Sequence, residues 1–149
     1  MKHLLAVTAL LTACTAVPVS RTAGIVITAH PRNCIDPSAS GDRIVRITNA
    51  TTADISFSVS TESPPYQLHA HTSNLLYESP LHEEPIVFGV DLTDYVERPL
   101  KITLAPGQSQ IFRSISHGWP STTDDHTYYW EIKDSSWRSH RSDPIKLCR

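Results

Sequence analysis

Residues 55–60 read Ile-Ser-Phe-Ser-Val-Ser, an unbroken alternation of apolar and hydroxylated side chains. Successive side chains of a β-strand point to opposite faces of the sheet, so this segment has one apolar face and one polar face. A strand of that kind buries its apolar face against a hydrophobic core and leaves the other face in water. The segment therefore predicts a half-buried sheet and indicates an all-β fold.

The same alternation recurs in residues 101–104 and 128–133. Less regular apolar runs, each bounded by turn residues, predict further strands at 24–29, 43–48, 86–91, 108–115 and 144–148. No segment combines a sustained 3.6-residue period with helix caps, and the 11 prolines are spread along the chain. The sequence thus predicts eight strands and no helix of ordinary length.

The turns between these strands favour an antiparallel arrangement. Residues 105–108 (Ala-Pro-Gly-Gln) pair a proline, which holds φ at about −65°, with a glycine that tolerates positive φ. Residues 49–52 (Asn-Ala-Thr-Thr) are a second short turn, and we interpret their Asn-x-Thr motif as turn chemistry. Short strands at this spacing predict a two-sheet antiparallel β-sandwich, immunoglobulin-like, with a small β-barrel as the alternative. The stretch 104–109 resembles a corner of many bacterial immunoglobulin-like domains, which bears on fold alone.

Composition and charge exclude several classes of protein. The 149 residues carry 13 Lys+Arg against 15 Asp+Glu, with a formal net charge of −2 and no run of basic residues. Nucleic-acid binding is therefore not expected, because it needs a basic footprint for the phosphate backbone. No apolar stretch reaches the roughly 18–20 residues of a membrane-spanning helix, so any membrane attachment must use another device.

The N-terminus has the order of a secretory signal. A short basic start at Lys2 precedes the apolar run 4–11, and Leu11-Thr12-Ala13-Cys14 follows at once. These four residues resemble the lipobox of the bacterial lipoprotein family. The resemblance implies transfer of a diacylglyceryl group, with palmitate among its chains, to the Cys14 sulfur and cleavage before Cys14. The alternative is ordinary cleavage after Ala16.

This resemblance also implies a domain organisation and a subcellular location. We expect residues 1–13 to form the signal peptide, 14–22 the lipidated N-terminus and tether, and 23–149 a single β-sandwich domain. We therefore expect the protein to be exported across the cytoplasmic membrane of a bacterium and held in the cell envelope by its N-terminal lipid. The inner and the outer membrane both remain open as its location.

With Cys14 acylated, Cys34 and Cys148 remain as an even pair in an exported chain, where disulfides persist. We therefore predict a Cys34–Cys148 disulfide. This bond would close a loop of 114 residues, to which the chain-entropy model assigns roughly 4–5 kcal/mol of stabilisation. The alternative is that each cysteine is buried separately and unpaired.

Histidines suggest one possible metal site. His69 and His71 are two residues apart, and on extended backbone both side chains project from the same side. His82 and Glu83 follow in the same long connection and complete a ligand set suited to Zn²⁺ or Cu²⁺. The interpretation that we favour is a loop of solvated histidines. In that case we expect no cofactor.

Catalytic motifs are absent from the sequence. It contains no Gly-x-Ser-x-Gly elbow, no His-Glu-x-x-His motif and no phosphate-binding glycine-rich loop, so we do not expect an enzyme. Trp119, Trp137 and Arg138 lie in polar, turn-like stretches and are the residue types that carry protein interfaces. The alternative for the two tryptophans is that their rings fold back onto the core.

We therefore expect a non-catalytic cell-envelope lipoprotein that binds another protein, such as an assembly factor, an inhibitor or an immunity-type protein. The long connections 62–85 and 116–126, together with Trp119, Trp137 and Arg138, are the predicted contact surface. A periplasmic metal-binding protein that uses the His69 and His71 loop is the alternative function.

Overall fold

The computed structural model describes residues 24–36, 42–78, 86–87, 98–115 and 126–148. Within these ranges every regular element is a β-strand, which confirms the all-β class. No helix that could cross a membrane occurs in the described residues.

Ten strands lie in these ranges. Their bounds are β1 Ile25–Ala29, β2 Asp42–Asn49, β3 Ile55–Val59, β4 Tyr66–Gln67, β5 Ser73–Glu78, β6 Ile86–Val87, β7 Leu100–Leu104, β8 Ser109–Ile115, β9 Thr127–Lys133 and β10 Ser139–Arg141. The predicted alternation is present, because β3 and β9 bury every second residue along their length.

The strands form three sheets in the described part of the chain. The first sheet has the order β1-β2-β8-β4, the second β10-β9-β5-β6, and the third is the pair β3-β7. All pairings are antiparallel except β4 with β8, which is parallel. None of the three closes into a barrel, so the alternative of a small β-barrel is not supported.

One hydrophobic core joins the three sheets. Its largest buried side chains come from the first sheet (Ile47 and Phe112), the second (Leu75, Tyr128, Trp130 and Ile132) and the third (Phe57). Close packing of such side chains is the main source of stability for a domain of this size. Because β3 contributes Phe57 and Val59 to the same cluster, the two-stranded third sheet is part of this core.

The second edge of β3 is held by loop backbone. The Ser58 carbonyl accepts from the His69 N–H at 3.0 Å, and the Ser56 carbonyl accepts from the Ser135 N–H at 2.8 Å. The first bond attaches the third sheet to the connection between β4 and β5, and the second attaches it to the turn after β9. The base of that turn is therefore fixed to the body of the domain.

The Cys34–Cys148 disulfide is present, with the two Cα atoms 5.0 Å apart. Around it, the Ile35 N–H donates to the Lys146 carbonyl and the Cys148 N–H donates to the Ile35 carbonyl. Residues 34–35 and 146–148 are thus joined by backbone pairing as well as by the covalent bond. The predicted link between the first strand region and the C-terminal end is confirmed.

Asn49 is fully buried at the end of β2 and makes hydrogen bonds to residues of two turns. Its side-chain N–H groups donate to the carbonyls of Ala53 and Leu104, each at 2.8 Å. Its side-chain oxygen accepts from the Thr51 N–H at 3.0 Å, and the Gly107 N–H donates to the Asn49 carbonyl at 2.7 Å. The amide is committed to the turns, in agreement with the interpretation of the Asn-x-Thr motif as turn chemistry.

The predicted turn between β7 and β8 is also present. The Gln108 N–H donates to the Ala105 carbonyl at 3.0 Å, and Gly107 has a φ of 80°. Positive φ at the third residue of the turn, directly after a proline at the second, is the geometry of a type II β-turn. Gly107 meets this requirement because it has no Cβ.

Two sequence predictions about strands are wrong. The connection 62–85, predicted to be a long loop, contains β4 and β5, and β5 is a central strand of the second sheet. Its apolar residues Leu75 and Leu76 are both buried although they point to opposite faces, so the segment lacks the alternation that marks a strand. Residues 144–148, predicted to be a strand, instead make two isolated bridges, Ile145 to Tyr128 and Leu147 to Ile35.

Candidate functional site

Two of the predicted partner-binding residues lie together at the turn between β9 and β10. Trp137 and Arg138 follow Asp134, Ser135 and Ser136 in this turn, which we call the hairpin tip (residues 133–138). The third predicted contact, Trp119, lies outside the described residues. Of the three predicted contact residues, the hairpin tip therefore carries the two whose geometry the structure describes.

Trp137 is directed to solvent, with 66% of its surface exposed. The ring of Trp137 does not fold back onto the core, which was the alternative for this residue. Its backbone has a φ of 64°, a left-handed conformation that costs an L-residue with a Cβ roughly 1–2 kcal/mol. Its N–H donates to the Asp134 carbonyl at 2.9 Å, which closes the turn.

Asp134 organises the hairpin tip from below. It is 2% exposed, and one carboxylate oxygen, Oδ1, accepts from the backbone N–H groups of Ser136 at 2.8 Å and Arg138 at 3.1 Å. The other oxygen, Oδ2, accepts from Arg138 Nε at 2.8 Å and His140 Nε2 at 3.1 Å. Four donors thus converge on one buried carboxylate and fix the turn that displays Trp137.

These hydrogen bonds set the charge of Asp134. Burial raises the pKa of this carboxyl group, but the hydrogen bonds from His140, Arg138 and Ser136 act in the opposite direction and prevail. The pKa of Asp134 is therefore lower than its usual value. Asp134 is ionised at neutral pH, and its charge is satisfied inside the turn.

Cationic groups flank the exposed indole. Lys133 Nζ lies 5.8 Å from the centre of the Trp137 ring, within cation–π range. The Arg138 side chain is largely exposed although its Nε is bound to Asp134. The N–H groups on the two terminal nitrogens of that guanidinium are the ones that an incoming carboxylate can reach.

The hairpin tip is anchored to the third sheet. The Ser135 N–H donates to the Ser56 carbonyl at 2.8 Å, and the hydroxyls of Ser135 and Ser58 lie 3.4 Å apart. Below them, the rings of His140 and Phe57 meet edge to face with centroids 6.5 Å apart. Contacts on both sides of the turn hold it in one geometry.

Sequence analysis did not identify Asp134 and His140 as site residues. One local signal was available, because an aspartate directly before a Ser-rich stretch is typical of an Asx turn. In such a turn the aspartate carboxylate accepts from the backbone N–H two residues later. No sequence signal indicates the contribution of His140, since its contact depends on the pairing of β10 with β9.

The predicted histidine ligands do not share extended backbone. Residues 69–72 form a turn in which the Thr72 N–H and hydroxyl both donate to the His69 carbonyl. His69 is buried, whereas His71 is exposed and has a φ of 67°. No group of three potential ligands occurs among the described residues; His82 and Glu83 lie outside them, so the metal site stays a prediction.

Cys14 and the predicted signal and tether also lie outside the described residues. Comparisons with protein-family models, with curated proteins and with solved structures found no match to this chain.

Proposed function

We propose that this protein is a non-catalytic lipoprotein of the bacterial cell envelope that binds another protein through the hairpin tip. It belongs by this proposal with assembly factors, inhibitors or immunity-type proteins. The observation that carries the proposal is Trp137, a large apolar side chain that is 66% exposed and whose own backbone is in the left-handed conformation.

The exposed part of the indole represents a sizeable binding energy. A tryptophan side chain buries about 150–250 Å² when it is covered completely, so covering the exposed part of Trp137 removes roughly 100–160 Å² from water. At about 25 cal/mol per Å² this is worth about 3 kcal/mol. That is the size of a hot-spot contribution at a protein interface.

Preorganisation supports the same proposal. Asp134 fixes the turn through four hydrogen bonds, and the β3 edge holds its base. A surface that is already rigid loses little conformational entropy when it binds. The flanking Lys133 and Arg138 favour a partner that presents a carboxylate beside an apolar pocket.

We also propose an immunoglobulin-like arrangement of the sheets and a lipid anchor at the N-terminus. The first and second sheets are proposed to be the two layers of an immunoglobulin-like β-sandwich, because their inward residues share one core. The N-terminus is proposed to carry lipid on Cys14, which the Leu11-Thr12-Ala13-Cys14 motif supports. Trp119 is proposed as a second contact with the partner.

Site-specific photo-crosslinking in cells that produce the full-length chain tests the binding surface. A photoreactive phenylalanine replaces Trp137 in one strain and Val26 in another; Val26 is 43% exposed on β1, the edge strand of the first sheet. We expect a discrete cross-linked protein from position 137 and none from position 26. Equal cross-linking at both positions, or none at position 137, contradicts the proposal.

Metabolic labelling with a fatty acid tests the anchor separately. We expect label in the wild-type protein and none in Cys14→Ser. Absence of label from both proteins contradicts lipidation while leaving the binding surface to be judged by cross-linking.

A further inference from the structure

The third sheet ends in an open edge at β7. In an antiparallel pair, a residue directs both its N–H and its C=O to one side, and successive residues alternate between the two sides. On β3, the carbonyls of Ser56 and Ser58 bond to loops on the far side, so the backbone groups of Phe57 between them face β7. Phe57 lies opposite Ile102, which therefore directs its own backbone groups to β3. The residues on either side of Ile102 must direct theirs away from the sheet.

Those two residues are Lys101 and Thr103, and their backbone groups are unpaired. In the described part of the chain, the N–H and C=O of both residues have no hydrogen-bond partner on the open side. The Thr103 hydroxyl lies 2.7 Å from that of Ser56, which leaves the main chain available. Donors and acceptors at every second residue match the edge of another extended chain.

The core-facing side of β7 is incompletely covered next to this edge. Leu104, Ile102 and Leu100 share the face of the sheet on which Phe57 packs into the core. Leu104 is 4% exposed, Ile102 is partly buried and Leu100 is 46% exposed. The apolar row thus emerges from the core toward the start of β7. Apolar side chains of an added strand would cover it.

The free edge of β1 offers less to an added strand. Its core-facing residues Ile27 and Ala29 are both buried, so a strand added there gains backbone hydrogen bonds but little apolar contact. Its exposed apolar residue, Val26, lies on the other face of the sheet. Among these two edges, β7 alone combines unpaired backbone groups with an uncovered apolar row.

Charge favours an acidic occupant of this edge. Lys101 is exposed on the outer face of β7, and exposed Arg98 lies two residues before the strand. The residue opposite Lys101 on β3 is Ser58, which carries no charge. An added strand that places Glu or Asp beside Lys101 therefore makes a favourable cross-strand pair.

The same charge disfavours a second copy of this chain as the occupant. If two β7 strands paired antiparallel over their full length, Lys101 of one copy would lie opposite Thr103 of the other. The two Lys101 side chains would then be diagonal neighbours of like charge, which is unfavourable.

We propose that β7 accepts an extended segment of another protein as an added strand, in which acidic residues alternate with apolar ones. The acidic residues lie on the outer face beside Lys101, and the apolar residues lie on the core side beside Leu100 and Ile102. Main-chain hydrogen bonds supply affinity in this mode of binding, and the alternate side chains supply specificity. The proposal does not rest on the hairpin tip.

The probe is a fluorescent peptide of sequence Thr-Val-Glu-Val-Glu-Val-Glu-Val-Thr with both ends blocked. The protein is purified with its disulfide intact from cells that express the full-length chain, and fluorescence anisotropy measures binding. We expect a Kd of about 10–500 µM, since one short strand covers a small area. A peptide with Lys in place of every Glu should bind at least about fivefold more weakly.

Amide hydrogen exchange followed by NMR locates the bound peptide. With the peptide near saturation, the N–H groups of Lys101 and Thr103 should exchange at least about tenfold more slowly. The N–H of Ile27, which lies on the free edge of β1, should keep its rate.

Two variants test the backbone and the charge separately. Thr103→Pro removes an N–H that faces away from β3, so the ladder between β3 and β7 is kept, and Ile25→Pro on the free edge of β1 is the matched control. We expect a loss of tenfold or more in peptide affinity from Thr103→Pro and no loss from Ile25→Pro. Lys101→Glu keeps the strand and should reverse the preference, so that the Lys peptide binds more tightly than the Glu peptide. Lys101→Glu carries the test alone if Thr103→Pro fails to fold.

The proposal is overturned if the Glu peptide does not bind, or if Lys101 and Thr103 keep their exchange rates in its presence. Equal affinity of the two peptides for the wild type overturns it as well. Sedimentation that shows a dimer of the wild type, lost in Thr103→Pro, would assign the edge to a second copy and also overturn it. Trp137→Ala should bind the Glu peptide like the wild type, so failure at β7 is distinguishable from failure at the hairpin tip.

Discussion

Replacing Asp134 with alanine should destabilise the domain through the hairpin tip. The change removes the acceptor of two backbone N–H groups, those of Ser136 and Arg138, and of the side chains of Arg138 and His140. Hydrogen bonds to a charged acceptor contribute about 1.5–3 kcal/mol each when they are buried. The Arg138 side chain is exposed, so its bond is worth less than about 1 kcal/mol. Allowing also for the partial exposure of the turn, we expect a total loss of roughly 3–4 kcal/mol at neutral pH.

The pH dependence follows from the lowered pKa of Asp134. The ionised carboxylate contributes its full stabilisation above the unfolded pKa of about 4, and this contribution is lost as the pH falls through the lower, folded pKa. The difference between wild type and Asp134→Ala should therefore be largest near pH 7 and shrink as the pH falls toward about 2.5. Asp134→Asn keeps the acceptor for the two backbone N–H groups and should lose about half as much.

Urea denaturation at a series of pH values measures these free energies of unfolding. A loss below about 1 kcal/mol for Asp134→Ala at pH 7 would refute the assignment of the turn to this carboxylate. A difference that stays constant from pH 7 to pH 2.5 would refute the role of its charge. A third result, destabilisation by Asp134→Asn as large as by Asp134→Ala, would show that the Oδ1 bonds contribute nothing.

Two further predictions concern the frame of the domain. Replacing both Cys34 and Cys148 with alanine should lower the free energy of unfolding by about 4–5 kcal/mol, because a loop of 114 residues is no longer closed in the unfolded chain; thermal unfolding of the oxidised wild type and the variant measures it, and equal midpoints would contradict it. Asn49→Ala should cost about 2–4 kcal/mol, since the buried Leu104 carbonyl loses its donor, whereas Thr51→Val should cost less than about 1 kcal/mol; equal losses in urea denaturation would count against this account.

Local sequence patterns predicted most of the strands but not which strands pair with each other. The alternation at 55–59 and 127–133 marks strands because one face is buried and the other is not. In β5 both Leu75 and Leu76 are buried, so the pattern disappears and the segment reads as a loop. Residues 43–48 carry basic and apolar side chains on both faces, and nothing local shows that Arg43 faces inward while Arg46 faces outward.

The candidate site was predicted in part for the same reason. Trp137 and Arg138 were identified because their residue types and polar surroundings are local properties. The exposure of Trp137 depends on the turn geometry that Asp134 imposes, and the contact with His140 depends on strand pairing. A cavity beside the disulfide is lined by residues of β2, β9 and the C-terminal segment, which only the fold brings together.

The disulfide also determines how the domain carries a mechanical load. When tension acts between the N-terminal end and a partner bound at Trp137, the shortest covalent route runs from residue 24 to Cys34, across the sulfur atoms to Cys148 and back to 137. At about 3.4 Å per extended residue, this route is roughly 75 Å long, against roughly 380 Å for the same two points without the bridge. Residues 35–136 lie outside that route. Their covalent chain is therefore not extended by the load, and the distance between the two points cannot exceed roughly 75 Å unless a covalent bond breaks.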